Sequence, residues 1–116
     1  SDLIDMVKAK QKIKLDYEWG NANFQKTTEN IIFRVIEETV TNSLRHGHAT
    51  KIWIKCTSNN SSYILSIHNN GKSETHIKPG YGITQMRERL TIINGTVEFD
   101  GKKGFTTVVK FPKVGV

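Results

Sequence analysis

The strongest constraint on the fold is a long amphipathic pattern that runs from Phe24 to about Gly47. Apolar or small residues recur there at the spacing of one helix face, at positions 24, 28, 31/32, 35/36, 39/40 and 43/44. Gly47 is a typical helix stop. At roughly 100° per residue, one arc collects Ile32, Val35, Ile36, Thr39, Val40 and Ser43. We therefore predict a long helix that packs this arc against a sheet.

Alternating apolar and polar residues predict two antiparallel hairpins downstream of this helix. Runs 52–56 and 63–67 alternate and are joined by a polar Asn/Ser turn. Runs 96–99 and 105–111 flank the turn Asp100-Gly101 in the same way.

Two further helices and one strand complete the sequence pattern. Apolar residues at 83, 86, 90 and 93 predict a helix that ends at Gly95, while residues 2–10 resemble a short helix and residues 13–17 a strand. Helices that alternate with antiparallel strand pairs indicate an α/β fold, a two-layer α/β sandwich with one sheet face covered.

The composition fits a single domain. The chain has 116 residues and a formal charge of +6, from 17 basic and 11 acidic side chains. Cys56 is the only cysteine, which excludes an intrachain disulfide, and no apolar run approaches the roughly 18 residues of a membrane helix.

The lysines are dispersed, which argues against a nucleic-acid-binding tail. Because the chain opens with Ser1 rather than Met, we expect a fragment of a longer protein.

Four polar residues share one edge of the long helix, at the flank of its apolar arc: Glu38, Asn42, Arg45 and His46. A carboxylate, an amide oxygen and a guanidinium in one row suit a water, a divalent cation and phosphate oxygens, respectively. An ordinary solvated helix face would show the same pattern, so the row alone leaves both interpretations open.

Glycines and asparagines mark two candidate ligand-binding loops. Gly80-Tyr81-Gly82 stands directly before the second helix, whose N-terminal amides could bind phosphate, although an ordinary loop-to-helix junction has the same composition. Asn69-Asn70-Gly71 follows the strand of the first hairpin, where a side-chain amide could donate to and accept from a ligand. The stretch between Asn70 and Gly80 has the composition of a mobile lid.

Taken in order, these motifs resemble the ATP-binding catalytic domain of sensor histidine kinases, part of the GHKL superfamily with its Bergerat fold. The resemblance covers residues 30–112 and rests on Glu38-x-x-x-Asn42-x-x-Arg45-His46, Asn69-Asn70-Gly71, Gly80-Tyr81-Gly82-Ile83-x-x-Met86-x-x-Arg89, and the segment from Gly104 to Pro112. The sequence around Glu38 and the segment Gly80-Tyr81-Gly82-Ile83-x-x-Met86-x-x-Arg89 are most similar to the subfamily whose partner regulators resemble NarL. The resemblance implies a mixed, mainly antiparallel sheet with helices on one face.

The resemblance also implies roles for individual residues. Asn42 would bind Mg²⁺, Glu38 would position the water or attacking group near the γ-phosphate, and Arg45 and His46 would lie beside the phosphates. The remaining ATP-binding residues would be Asn69, Gly71, Gly80, Tyr81, Gly82, Ile83 and Thr106, with Thr106 near the adenine. Asn69 and Ser73 depart from the family, which normally has Asp and Gly there. We expect weaker ATP binding, because a hydrogen bond to a charged carboxylate is about twice as strong as one to the neutral amide of Asn69.

The implied function is Mg-ATP-dependent transfer of a phosphoryl group to a histidine in an upstream dimerisation domain that this fragment lacks. None of its four histidines has the expected sequence context of a phosphoacceptor, so we predict that the fragment cannot phosphorylate itself. We also expect the fragment to be monomeric. The parent would be a homodimeric sensor kinase with a cytoplasmic catalytic domain, a possible membrane anchor and a response regulator as partner. A serine-kinase anti-sigma factor, a catalytically silent binding module and a basic nucleic-acid binder are the alternatives.

Overall fold

Five strands and two helices are formed by the residues that the computed structural model describes, 14–18, 23–45, 48–72 and 82–113. In chain order they are β1 (Lys14–Glu18), α1 (Lys26–Arg45), β2 (Lys51–Ser58), β3 (Ser62–Asn69), α2 (Ile83–Thr91), β4 (Thr96–Asp100) and β5 (Phe105–Pro112). The helix predicted at 2–10 lies outside the described residues.

The strands form one sheet in the order β1-β2-β3-β5-β4. The two predicted hairpins are confirmed, with Ile54 opposite Ile67 and Val97 opposite Val109, and β3 pairs with β5 in the antiparallel sense too. β1 pairs with β2 in parallel. Parallel neighbours need a crossover connection, and α1 provides it because it lies between them in sequence. The sheet is therefore mixed and mainly antiparallel, as the resemblance implied.

The core lies between one face of the sheet and the two helices. Ile32, Val35 and Ile36 of α1 are at most 1% exposed, and every residue of the predicted apolar arc is buried. Met86 and Leu90 are the buried residues of α2. The sheet contributes alternate side chains, among them Ile52, Ile54, Leu65, Ile67 and Val109. Burial of each large apolar side chain contributes about 1.5–3 kcal/mol.

Both helices are slightly shorter than their sequence patterns. Phe24 precedes α1 and packs edge-on against the rings of Tyr63 and Phe111, at centroid distances of 4.9 and 5.6 Å. α2 ends at Thr91 and continues as a turn, which the Gly95 N–H closes by donating to the Leu90 carbonyl at 2.7 Å. In the part of the chain described, neither helix is long and apolar enough to cross a membrane.

Candidate functional site

Glu38 links the polar edge of α1 to α2. Its Oε1 accepts a hydrogen bond from Nη1 of Arg89 at 2.7 Å, and the two side chains of this ion pair are 25% and 28% exposed, respectively. Charge-assisted hydrogen bonds of this length are among the strong ones in proteins. The contact therefore fixes one oxygen of the carboxylate.

The second oxygen of Glu38 lies beside the glycine that precedes α2. Gly82 has a φ of 73°, and a Cβ built on it would lie 3.0 Å from Glu38 Oε2. Oε2 is buried, and no hydrogen-bond partner for it exists among the described residues. Because buried polar atoms are nearly always paired, this oxygen lies where a donor from outside these residues is expected.

The N-terminus of α2 adjoins the same carboxylate. Gly82 makes no side-chain capping bond, and its carbonyl accepts from the Met86 N–H at 3.0 Å. Amides in the first turn of a helix have no acceptor within the helix, and together they favour anions such as phosphate. A carboxylate acceptor and a helix N-terminus with unpaired amides thus lie next to each other.

Asn69 ends β3 and is anchored to α1. Its Nδ2 donates to Ser43 Oγ at 2.8 Å, its Oδ1 accepts from the Gly71 N–H at 2.8 Å, and the residue is 3% exposed. Ser43 Oγ in turn donates to the Thr39 carbonyl at 2.8 Å. An amide has two N–H donors and two oxygen lone pairs, so these bonds leave one of each available to a ligand.

Gly104 packs directly on the backbone of Asn69. It has a φ of 69°, and a Cβ at this position would lie only 2.1 Å from the Asn69 carbonyl oxygen. Only glycine fits such a close approach at a left-handed backbone. Gly104 therefore determines where the last residue of β3 lies.

Asn70 has a structural role instead of the ligand contact considered from the sequence. Its Oδ1 accepts from the N–H groups of Thr50 and Lys51 at 3.0 and 2.9 Å, and its Nδ2 donates to Thr50 Oγ1 at 3.0 Å. These bonds tie the end of β3 to the start of β2.

Thr106 does not join the other candidate residues. Its Oγ1 lies 2.7 Å from His68 Nδ1, on the sheet face opposite the helices, where the Trp53 ring also packs on His68 at 5.3 Å. Alternate residues of a strand point to opposite faces, so Phe105 and Thr107 share the face of Asn69 and Thr106 does not. The predicted adenine contact of Thr106 is therefore at odds with its position.

The other predicted residues fall into two groups. Asn42 is half-buried one turn after Glu38, Arg45 is exposed at the end of α1, and Ile83 is half-buried against the core. The residues that lie outside the described ranges are His46, Gly80, Tyr81 and Ser73.

Sequence reasoning assigned no role to Ser43 or Arg89. Ser43 stands in the apolar arc, and a polar residue at such a position needs a hydrogen-bond partner. Arg89 follows the buried Met86 by three residues, which places it on the flank of the buried face of α2. These two positions in the helix patterns were the signals from which a contact of Ser43 or Arg89 could have been predicted.

The sequence is similar to bacterial sensor kinases, although no family model matches it. It is 28% identical over 113 residues to the sensor histidine kinase LiaS of Bacillus subtilis, covering 95% of this chain and 31% of LiaS. It is 30% identical over 98 residues to the sensor protein VraS of Staphylococcus aureus, covering 82% of this chain and 28% of VraS. The chain thus spans less than a third of the length of these curated relatives.

The fold is similar to that of solved histidine kinase domains. The catalytic domain of the histidine kinase ThkA matches with a TM-score of 0.77 at 17% sequence identity, over 97% of this chain and 88% of that one. A likeness at this identity establishes the fold alone. The chain therefore has the fold of histidine kinase catalytic domains, which confirms the predicted fold class.

Proposed function

We propose that this chain is the Mg-ATP-binding catalytic domain of a sensor histidine kinase and transfers the γ-phosphoryl group of ATP to a histidine in an upstream domain. The observation that carries the proposal is the buried, unpartnered Oε2 of Glu38 beside Gly82 at the start of α2. An acceptor for a proton of the attacking group and an anion-binding helix end are the two elements that phosphoryl transfer needs close together.

The residues present fit a magnesium nucleotide. Asn42 has an amide oxygen on the same edge of α1 as Glu38. This suits Mg²⁺, which commonly takes one or two protein ligands and completes its shell with water and phosphate. When bound, Mg²⁺ neutralises charge on the phosphates.

Each remaining residue of the site has a proposed task. The first-turn amides of α2 bind phosphate, with Arg45 and His46 beside it, and Gly80, Tyr81, Gly82 and Ile83 also contribute to ATP binding. Asn69 presents its remaining N–H and lone pair to the base, next to Gly71. Glu38 Oε2 accepts a hydrogen bond from the N–H of the attacking histidine and thereby orients its ring.

The acceptor histidine is proposed to lie in a dimerisation domain upstream of this chain. His68 is bound to Thr106 on the face away from Glu38, which argues against this histidine as the acceptor. The parent would be a homodimeric kinase whose catalytic domain is cytoplasmic and whose partner is a response regulator of the NarL type. The isolated domain would be monomeric.

Titration calorimetry with Mg²⁺ and a non-hydrolysable ATP analogue tests the binding step. We expect a Kd of about 1 mM or tighter, the usual range for enzyme substrates. Asn42→Ala should abolish the Mg²⁺ dependence, whereas Asn30→Ala, at an exposed position of the same helix, should bind like the wild type. Absence of binding by the wild type would refute the proposal.

Incubation with radioactive ATP tests the division of labour. The chain should remain unlabelled alone and should label a separately added acceptor domain of the parent. Robust self-labelling would show that the acceptor lies within the chain.

A catalytically silent binding module is the second candidate, and Asn69 favours it. Its amide lacks the charge that strengthens a hydrogen bond to a nucleobase amino group. If Asn69→Asp binds the analogue and the wild type does not, the silent module is the better description.

A further inference from the structure

Arg89 is the residue of α2 that contacts the proposed catalytic carboxylate, through Nη1 and Glu38 Oε1. We propose that Arg89 is a positioning residue for phosphoryl transfer, which holds Glu38 so that Oε2 faces the start of α2. This inference rests on the proposed function and adds to it a residue that acts through Glu38.

The geometry of α2 explains how Arg89 reaches this carboxylate. Arg89 lies seven residues after Gly82, about 10 Å along the helix axis. Helical side chains tilt toward the N-terminus, so the long arginine side chain extends back along α2 toward Gly82. The guanidinium thereby bonds Oε1 of the carboxylate, while Oε2 lies beside the glycine that precedes the same helix.

This arrangement restricts Glu38 through one oxygen of its carboxylate. A glutamate side chain has three torsions, and an unrestrained one would distribute Oε2 over many positions. The arginine bond fixes Oε1, and Oε2 then lies beside Gly82, where only the absence of a Cβ leaves space for it. The carboxylate is therefore oriented before substrate binds, and such positioning is one of the two main contributions that a protein makes to phosphoryl transfer.

Arginine suits the task because it remains charged and its planar head has several donors. The arginine charge also compensates the half-buried carboxylate of Glu38, which would be destabilised without a counter-charge. A purely structural ion pair between α1 and α2 is the competing explanation. It predicts at most a small loss of stability and an unchanged transfer rate, because partly exposed ion pairs contribute little to stability.

Three variants of the full-length kinase distinguish the two explanations. Arg89→Met removes the charge and keeps the length, Arg89→Lys keeps the charge, and Arg87→Met is the control at an exposed position of the same helix. Calorimetry gives the Kd for the ATP analogue, and single-turnover labelling at saturating ATP gives the transfer rate.

Arg89→Met should bind nucleotide within about threefold of the wild type and transfer about 10- to 100-fold more slowly, as expected for a misplaced catalytic group. Arg89→Lys should recover part of the rate, and Arg87→Met should match the wild type. In the nucleotide-free domain, loss of the arginine bond should let the Glu38 side chain sample several rotamers. The NMR chemical shift of its carboxyl carbon should therefore move toward the average over these rotamers in Arg89→Met and stay at the wild-type value in Arg87→Met.

An unchanged rate in folded Arg89→Met would overturn the inference and leave the proposed function intact. A loss of nucleotide affinity with an unchanged rate would make Arg89 a binding residue and overturn it as well. Absence of transfer by the wild type would instead overturn the proposed function and, with it, the positioning role.

Discussion

Gly104→Ala should strongly destabilise the domain, because two separate costs coincide at this residue. The first is conformational, since φ is 69° and a residue with a Cβ is disfavoured there by about 1–2 kcal/mol. The second is steric. The new Cβ would lie 2.1 Å from the carbonyl oxygen of Asn69, an atom of the backbone that cannot rotate away.

The steric cost requires the end of β3 and the start of β5 to separate. Asn69 and Phe105 are paired in the sheet, and Asn69 is also anchored to Ser43. Overpacking of this kind costs about 1–3 kcal/mol. Together the two costs amount to about 2–5 kcal/mol, or a fall in Tm of roughly 8–20 °C at about 4 °C per kcal/mol for a domain of this size.

Urea and thermal unfolding followed by circular dichroism measure this loss. Lys103→Ala is the matched control, because it changes an exposed side chain in the same turn and should remain within about 0.5 kcal/mol of the wild type. If Gly104→Ala also remains within that margin, the close contact between Gly104 and Asn69 does not exist in solution and the reasoning fails.

Two further predictions concern buried polar side chains. Ser43→Ala leaves Asn69 Nδ2 without its acceptor and should cost about 1–3 kcal/mol in urea unfolding; a loss below about 0.5 kcal/mol would contradict the bond. Burial raises the pKa of the Cys56 thiol, so the folded state keeps its proton at a pH where the unfolded chain, with a pKa near 8.5, has lost it. Stability should therefore fall as the pH rises above about 8.5, and Cys56→Ala should reduce this slope.

The helices and the two hairpins were predictable because each produces a local period in the order of apolar and polar residues. The arc from Ile32 to Ser43 on α1 and the alternation in the two hairpins identify buried faces without knowledge of their partners. The parallel pairing of β1 with β2 was not predicted. Pairing joins residues about 37 positions apart, such as Lys14 and Lys51, and no local pattern specifies that choice.

The candidate site could be assembled from the sequence in the same way. Glu38, Asn42 and Gly82 were candidates because their spacing on one helix edge and before a helix N-terminus has a direct chemical meaning. Thr106 shows the limit of such reasoning, since a shift of one residue in a strand moves a side chain to the other face.

The roles of Ser43, Arg89 and Gly104 depend on contacts between distant elements, which no spacing rule expresses. Arg89 meets Glu38 across 51 positions, and Asn69 meets Ser43 across 26. These contacts join two later elements, α2 and the end of β3, to the C-terminal half of α1.

The bond from Ser43 to the Thr39 carbonyl determines which hydrogen-bonding groups of Asn69 remain for the base of the proposed nucleotide. Because Ser43 Oγ donates its hydrogen to that carbonyl, it can only accept from residue 69, which requires an N–H there. An aspartate at position 69 would lack this N–H and would require the Ser43 hydroxyl to turn its hydrogen away from Thr39. The asparagine is thus matched to the hydroxyl beside it, and the charge gained by Asn69→Asp is offset in part by the loss of one buried hydrogen bond.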